Sequence, residues 1–226
     1  MNVEILYRPS DALAVVQLTA GESVIVEAGA MVSMSPNVQA ETSARGGIFA
    51  GLARSMFGGE SFFLNTFTAT GGPAEITLAP QLAGDIQTLT LNNQTVFVQS
   101  GSFLACSPTI EVDTSWGGAK SFFAGEGLVL LRATGSGTLI LCSYGAIHPK
   151  DLGANERYLI DTGHIVSFPS TAQYRVTKMG GWRSTLLGGE GLVADFTGPG
   201  RILLQTRSPG AFLDWLIPRI PRSPNQ

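Results

Sequence analysis

The stretch SVIVEAGAMVSMSP, Ser23 to Pro36, returns as TVFVQSGSFLACSP, Thr95 to Pro108, and more loosely as RYLIDTGHIVSFP, Arg157 to Pro169. Gly29, Gly101 and Gly163 hold one shared position, each after an apolar run and before another. Short β-branched and apolar runs bounded by Gly, Pro or Asn read as strands. The glycine between them is expected to supply a positive-φ turn or a close backbone approach. Each copy continues into a similar tail: GGESFFLNTFTATGGPAEITL, AGEGLVLLRATGSGTLIL and GGEGLVADFTGPGRILL. One unit of this kind cannot bury its own apolar face, so repetition implies stacked neighbours.

The chain therefore reads as all-β, with three repeated β modules near 12–88, 89–150 and 151–208 forming one domain over 1–208. The tail 209–226 differs. From Pro209 to Ile220 the spacing of Phe212, Leu213, Leu216 and Ile217 predicts a short helix that Pro218 ends. TATGGPAE, ATGSGTL and FTGPGRI carry glycines at turn spacing and are expected to be hairpin turns. A phosphate loop would instead open a helix with Lys and Ser/Thr following.

Composition narrows the functional classes. Charged residues make up 14% of the 226, against roughly 25% in a typical soluble domain. So little charge to cover an outer face favours self-association or a partner surface. The net charge of −3 argues against DNA, and against RNA without a dense Lys/Arg series. MNVEILYRPSDALAVVQL lacks the features of a secretory signal, and no apolar run approaches the roughly 18 residues of a membrane span. The two cysteines, Cys106 and Cys142, are too few for a disulfide framework or a zinc site. A cytoplasmic setting, with peripheral contact to a membrane as an option, is the expectation.

No acid, base and nucleophile grouping appears, so no catalytic residue, metal or cofactor is expected. His148 and His164, the two histidines, lie apart in the sequence, and His164 takes the position of Ala30 and Ser102. Cys106 aligns with Met34 and Phe168 and reads as a small core residue.

A second repeated element is ARSMFGGE, AKSFFAGE and WRSTLLGGE. It places Arg54, Lys120 and Arg183 before the apolar pairs Met56 and Phe57, Phe122 and Phe123, Leu186 and Leu187. Glu60, Glu126 and Glu190 follow. In one reading the pairs plug the open ends of the modules while the basic heads reach solvent and each Glu accepts backbone N–H groups. In the other, the three loops form a composite basic and apolar face for a protein or membrane, or the three carboxylates converge on a cation. The binding candidates are these twelve residues.

VEAGAMVSM, MFGGESFFLNTFTA and the GEG tails together resemble bacterial and mitochondrial proteins related to the Aim-type mitochondrial-inheritance protein. The resemblance spans nearly the whole chain. It implies a fold like the tryptophan-RNA-binding attenuator protein, with three β-sandwich-like modules of double-stranded β-helix type around a pseudo-threefold axis. The mitochondrial relatives are linked to inner-membrane organisation, and no catalytic residue is implied. The expected function is a non-enzymatic, homo-oligomeric binding or scaffold protein facing a protein or a membrane surface. The alternative is small-ligand or RNA binding by analogy with the attenuator protein.

Overall fold

The computed structural model describes residues 1–42, 56–57, 60–61, 63–113, 129–178 and 192–221. Those residues are predominantly β, with one short helix, α1, at Pro209–Leu216. Strand formation follows the alternation expected of a half-buried sheet. In β2 (Leu13–Leu18), Ala14, Val16 and Leu18 point into the core while Gln17 points out.

The first group of strands is β2, β3 (Ser23–Glu27), β4 (Met31–Met34), β5 (Val38–Thr42), β8 (Leu64–Ala69) and β9 (Ala74–Leu78). The two-residue strands β6 (Met56–Phe57) and β7 (Glu60–Ser61) pair with each other, and β1 (Asn2–Leu6) adds to β2. Within the group, β2 and β4 pair with β9, and β3 and β5 pair with β8, all antiparallel.

The next strands are β10 (Ile86–Gln99), β11 (Phe103–Cys106), β12 (Ile110–Asp113) and β13 (Leu130–Cys142). Here the same pairings are carried by longer strands. The first half of β10 and all of β11 pair with the second half of β13, whereas the second half of β10 and all of β12 pair with its first half. The last strands are β14 (Ile147–Leu152), β15 (Arg157–Asp161), β16 (Ile165–Pro169), β17 (Gln173–Lys178), β18 (Leu192–Thr197) and β19 (Gly200–Gln205). β14 and β16 pair with β19, and β15 and β17 pair with β18. A register shift falls at matching places, Met31/Ser33, Phe103/Ala105 and Ile165/Ser167.

Two further ladders join the groups, β3 to β11 and β10 to β16. They link most strands into one ten-stranded sheet, leaving β1-β2-β9-β4 as a four-stranded and β15-β18-β17 as a three-stranded sheet. Three apolar clusters fill the interior. One is gathered around Val16, Ile76 and Leu78, a second around Phe103 and Leu131, and a third around Phe168 and Phe196.

The shared glycines meet the either-or expectation in different ways. Gly29 has φ +89°, but Gly101 and Gly163 lie in the short 3₁₀ turns Ser100–Ser102 and Thr162–His164 without a positive φ. At Gly163 the approach is close instead, an added Cβ lying 2.7 Å from the Ser208 hydroxyl. The expectation that the glycine-rich segments are hairpin turns is corrected. TATGGPAE and FTGPGRI carry the chain between different sheets, and ATGSGTL lies inside the continuous strand β13. There Gly135 and Gly137, at φ +143° and +140°, take a backbone conformation that side chains disfavour, and residues Ser107 and Thr109 pack closely against them.

Candidate functional site

The repeat permits a position-by-position comparison of burial, counted from the shared glycine. On β4, Met31, Val32 and Met34 are 40, 58 and 42% exposed. Their counterparts Phe103, Leu104 and Cys106 on β11, and Ile165, Val166 and Phe168 on β16, are at most 1% exposed. β15 behaves likewise. Tyr158 and Leu159 are 43 and 54% exposed, whereas Val24, Ile25 and Val96 are buried and Phe97 is half-buried. The cause lies in the ladders. β3 is covered by β11 and β10 by β16, whereas β15 and β4 each end a sheet. Among the described residues no strand pairs with the outer side of either edge, and both carry bulky apolar side chains, a combination that favours strand addition.

Beside the β15 edge, Arg157, Arg175 and Asp195 come from β15, β17 and β18. Asp195 faces away from the apolar core that Ala194 and Phe196 enter, and it is buried beneath the two arginines. Arg157 donates from Nε and Nη2 at 3.2 and 2.6 Å, and Arg175 from Nε and Nη2 at 3.0 and 2.9 Å. Gln173, Tyr174 and Thr197 complete the lining of a shallow groove here. The hydrogen bonds from Arg157, and then from Arg175, hold the Asp195 carboxyl below the ordinary aspartate range. A carboxylate so committed is a poor base and serves as a cross-strand clamp.

The sign of its pH effect follows. The unfolded group titrates near about 3.9 and the native one lower, so its stabilisation is complete above the unfolded value and is lost as the pH falls through the native one. Asp195→Asn is expected to melt below the wild type at neutral pH. Its melting temperature should also decline less steeply between roughly pH 5 and pH 2 in calorimetry. Parallel declines would remove the clamp from the account.

Of the residues singled out in the sequence, Arg54, Lys120, Phe122, Phe123, Glu126, Arg183, Leu186, Leu187 and Glu190 lie outside the described residues. For Met56, Phe57 and Glu60 the backbone alone is described, with Phe57 opposite Glu60 in the β6–β7 pair. His164 donates from Nδ1 to the Gln205 carbonyl at 2.7 Å, which fixes its tautomer. Cys106 and Cys142 are free and buried. Burial pushes the Cys106 thiol up to about 12 and raises that of Cys142 as well. Among the described residues no three His, Cys, Asp or Glu side chains gather as metal ligands.

Helix α1 is capped by Ser208 and rests on the body through Phe212, whose ring meets Tyr144 edge-on at 5.9 Å. Leu213, Trp215 and Ile217 remain exposed, and the Arg219 guanidinium lies 4.8 Å over the Trp215 ring. No helix among the described residues is long and apolar enough to cross a membrane.

The β4 and β15 edges were not singled out in the sequence. Met31, Val32 and Met34 are apolar like their buried counterparts, so composition does not mark them. The available signal was topological: three second strands and three third strands, joined in succession, leave one of each over.

A family model described as Mitochondrial biogenesis AIM24 matches residues 3–207. An uncharacterized protein from Streptococcus pyogenes serotype M6 is 29% identical over 221 residues, covering 94% of this chain and 88% of the relative. A crystal structure of a Streptococcus pyogenes protein, 28% identical, matches with a TM-score of 0.79 over 97% of this chain and 99% of that one.

Proposed function

The chain belongs to the Mitochondrial biogenesis AIM24 family, and from that premise and the two bare edges we propose that it is a non-enzymatic binding or scaffold protein. It works as a homo-oligomer and presents a face to a protein partner or a membrane surface. One observation carries the reading: Met31, Val32, Met34, Tyr158 and Leu159 are exposed at positions that the same chain covers elsewhere. Such edges are an aggregation liability for a lone chain and an asset for an assembly.

In this reading the three strand groups are equivalent modules of the attenuator-protein kind, supported by the recurrence of their pairings and register shifts. The modules are read as related by a pseudo-threefold axis, with β3–β11 and β10–β16 as two joints between them and β15 and β4 left in separate sheets. The face offered to other molecules includes α1, where Leu213, Trp215 and Ile217 stand beside Arg219. Bulky apolar groups next to a cation suit an anionic bilayer surface or an acidic groove. The two free thiols agree with a reducing compartment, and we place the protein in the cytoplasm, with peripheral membrane contact as one option for its exposed face. Light scattering at low micromolar concentration is expected to give two or more times 23.8 kDa. A strict monomer overturns the reading.

A further inference from the structure

We propose that β15 of one copy adds antiparallel to β4 of the next, with Leu159 opposite Met34 and Ile160 opposite Ser33, so that copies join head to tail. This rests on the homo-oligomeric reading and adds to it the partner, the strands and the register.

The register comes from the two joints inside the chain. Where β3 meets β11, Val26 lies opposite Ala105 and Ile25 opposite Cys106. Where β10 meets β16, Val98 lies opposite Ser167 and Phe97 opposite Phe168. Counted from the shared glycines, both joints set the third residue before one glycine against the fourth after the next. Both also set the fourth before against the fifth after. The same rule applied to the unused strands pairs Ile160 with Ser33 and Leu159 with Met34.

Burial supports the occupant. Every apolar position that the internal joints bury on β11 and β16 is bare on β4. The counterparts of Tyr158 and Leu159 on β3 are buried. A strand of the same kind as β3 and β10 fits the β4 edge, and β15 is the remaining one among the described residues. The joint is heterologous, since each copy offers a different edge at either end and no twofold axis relates them. Register is strongly fixed in such a pairing, because a slip of one residue sends every side chain to the opposite face.

The register can be read by cross-linking. Directly opposed residues of antiparallel strands have Cβ atoms roughly 4.5–5.5 Å apart, within reach of a disulfide after small adjustment. Met34→Cys reproduces what an internal joint already holds, since Cys106 faces Ile25 there. The native thiols are buried and do not compete. Under mild oxidation, full-length M34C/L159C is expected to form interchain multimers on a non-reducing gel that return to one 23.8 kDa band with reductant. M34C, L159C and the out-of-register M34C/Y158C are expected to stay at the monomer band. As an independent arm, Val32→Lys places a charge on a side chain exposed in the single chain and is expected to yield a folded monomer in light scattering. An oligomeric wild type whose M34C/L159C variant shows no register-specific cross-link, or whose assembly survives Val32→Lys, overturns the proposed joint and leaves the homo-oligomeric reading standing. A monomeric wild type overturns both.

Discussion

Phe168→Ala is expected to cost about 3–5 kcal/mol and to lower the melting temperature by roughly 6–20 °C. Phe168 is 1% exposed. Its ring lies 5.3, 4.9 and 5.0 Å from those of Phe97, Tyr174 and Phe196. Those rings project from β10, β17 and β18, three strands anchored in two different sheets, so the space left by truncation cannot be closed by moving one element. Aromatic contacts at these spacings add to the loss of buried area. Urea unfolding with an unchanged dependence on denaturant is the measurement, and a loss under about 1 kcal/mol contradicts this picture of the core. Phe168 also sits opposite Phe97 in the ladder between β10 and β16, so the variant weakens an internal joint and a core together.

Gly84→Ala is the second large effect, expected to cost about 3 kcal/mol or more or to prevent recovery of folded protein. An added Cβ would lie inside the van der Waals envelope of the Ser143 carbonyl oxygen, which is backbone and cannot rotate away. The two segments are tied together by Gly145 N–H to Ala83 O at 3.0 Å, Asp85 N–H to Gly145 O at 3.0 Å and Ser143 N–H to Asp85 O at 3.1 Å. Asp85 is in turn gripped by Arg8 at 2.7 and 2.9 Å. Relief would require breaking this set of bonds where one strand group hands over to the next. Gly72→Ala serves as the control, because nothing lies within 4 Å of its added Cβ, and it is expected to stay within about 1 kcal/mol of wild type. Equal stability of the two variants by chemical denaturation contradicts the argument.

The all-β class was legible because burial imposes apolar residues at strand offsets, as Val26, Val98 and Ile160 show. The glycines were only partly legible. Their spacing marks a bend, but whether the chain then returns beside itself or passes to another sheet depends on what lies across from it. Hence TATGGPAE read as a hairpin although β8 and β9 do not pair. Boundaries at 89 and 151 cut through β10 and β14 because a strand that runs on without a turn leaves no local mark. The bare edges were illegible for the same reason. A Val at 32 and a Val at 166 are chemically alike, and a distant strand decides which one meets water. Of the repeated Arg54, Lys120 and Arg183 loops, the described residues include only the β6 and β7 pair.

The continuous strands β10 and β13 give the native protein a direction of opening. Their amides are paired with each other along nearly their whole length and flanked by β11 and β16, whereas β5 and β17 each have, among the described residues, a neighbour on one side alone. Local fluctuations therefore begin at the outer strands and must travel inward before the middle ladder parts. In hydrogen exchange the amides of Val96, Val98, Leu131 and Ala133 are expected to form the slowest class, the outer strands opening while the middle ladder keeps its register.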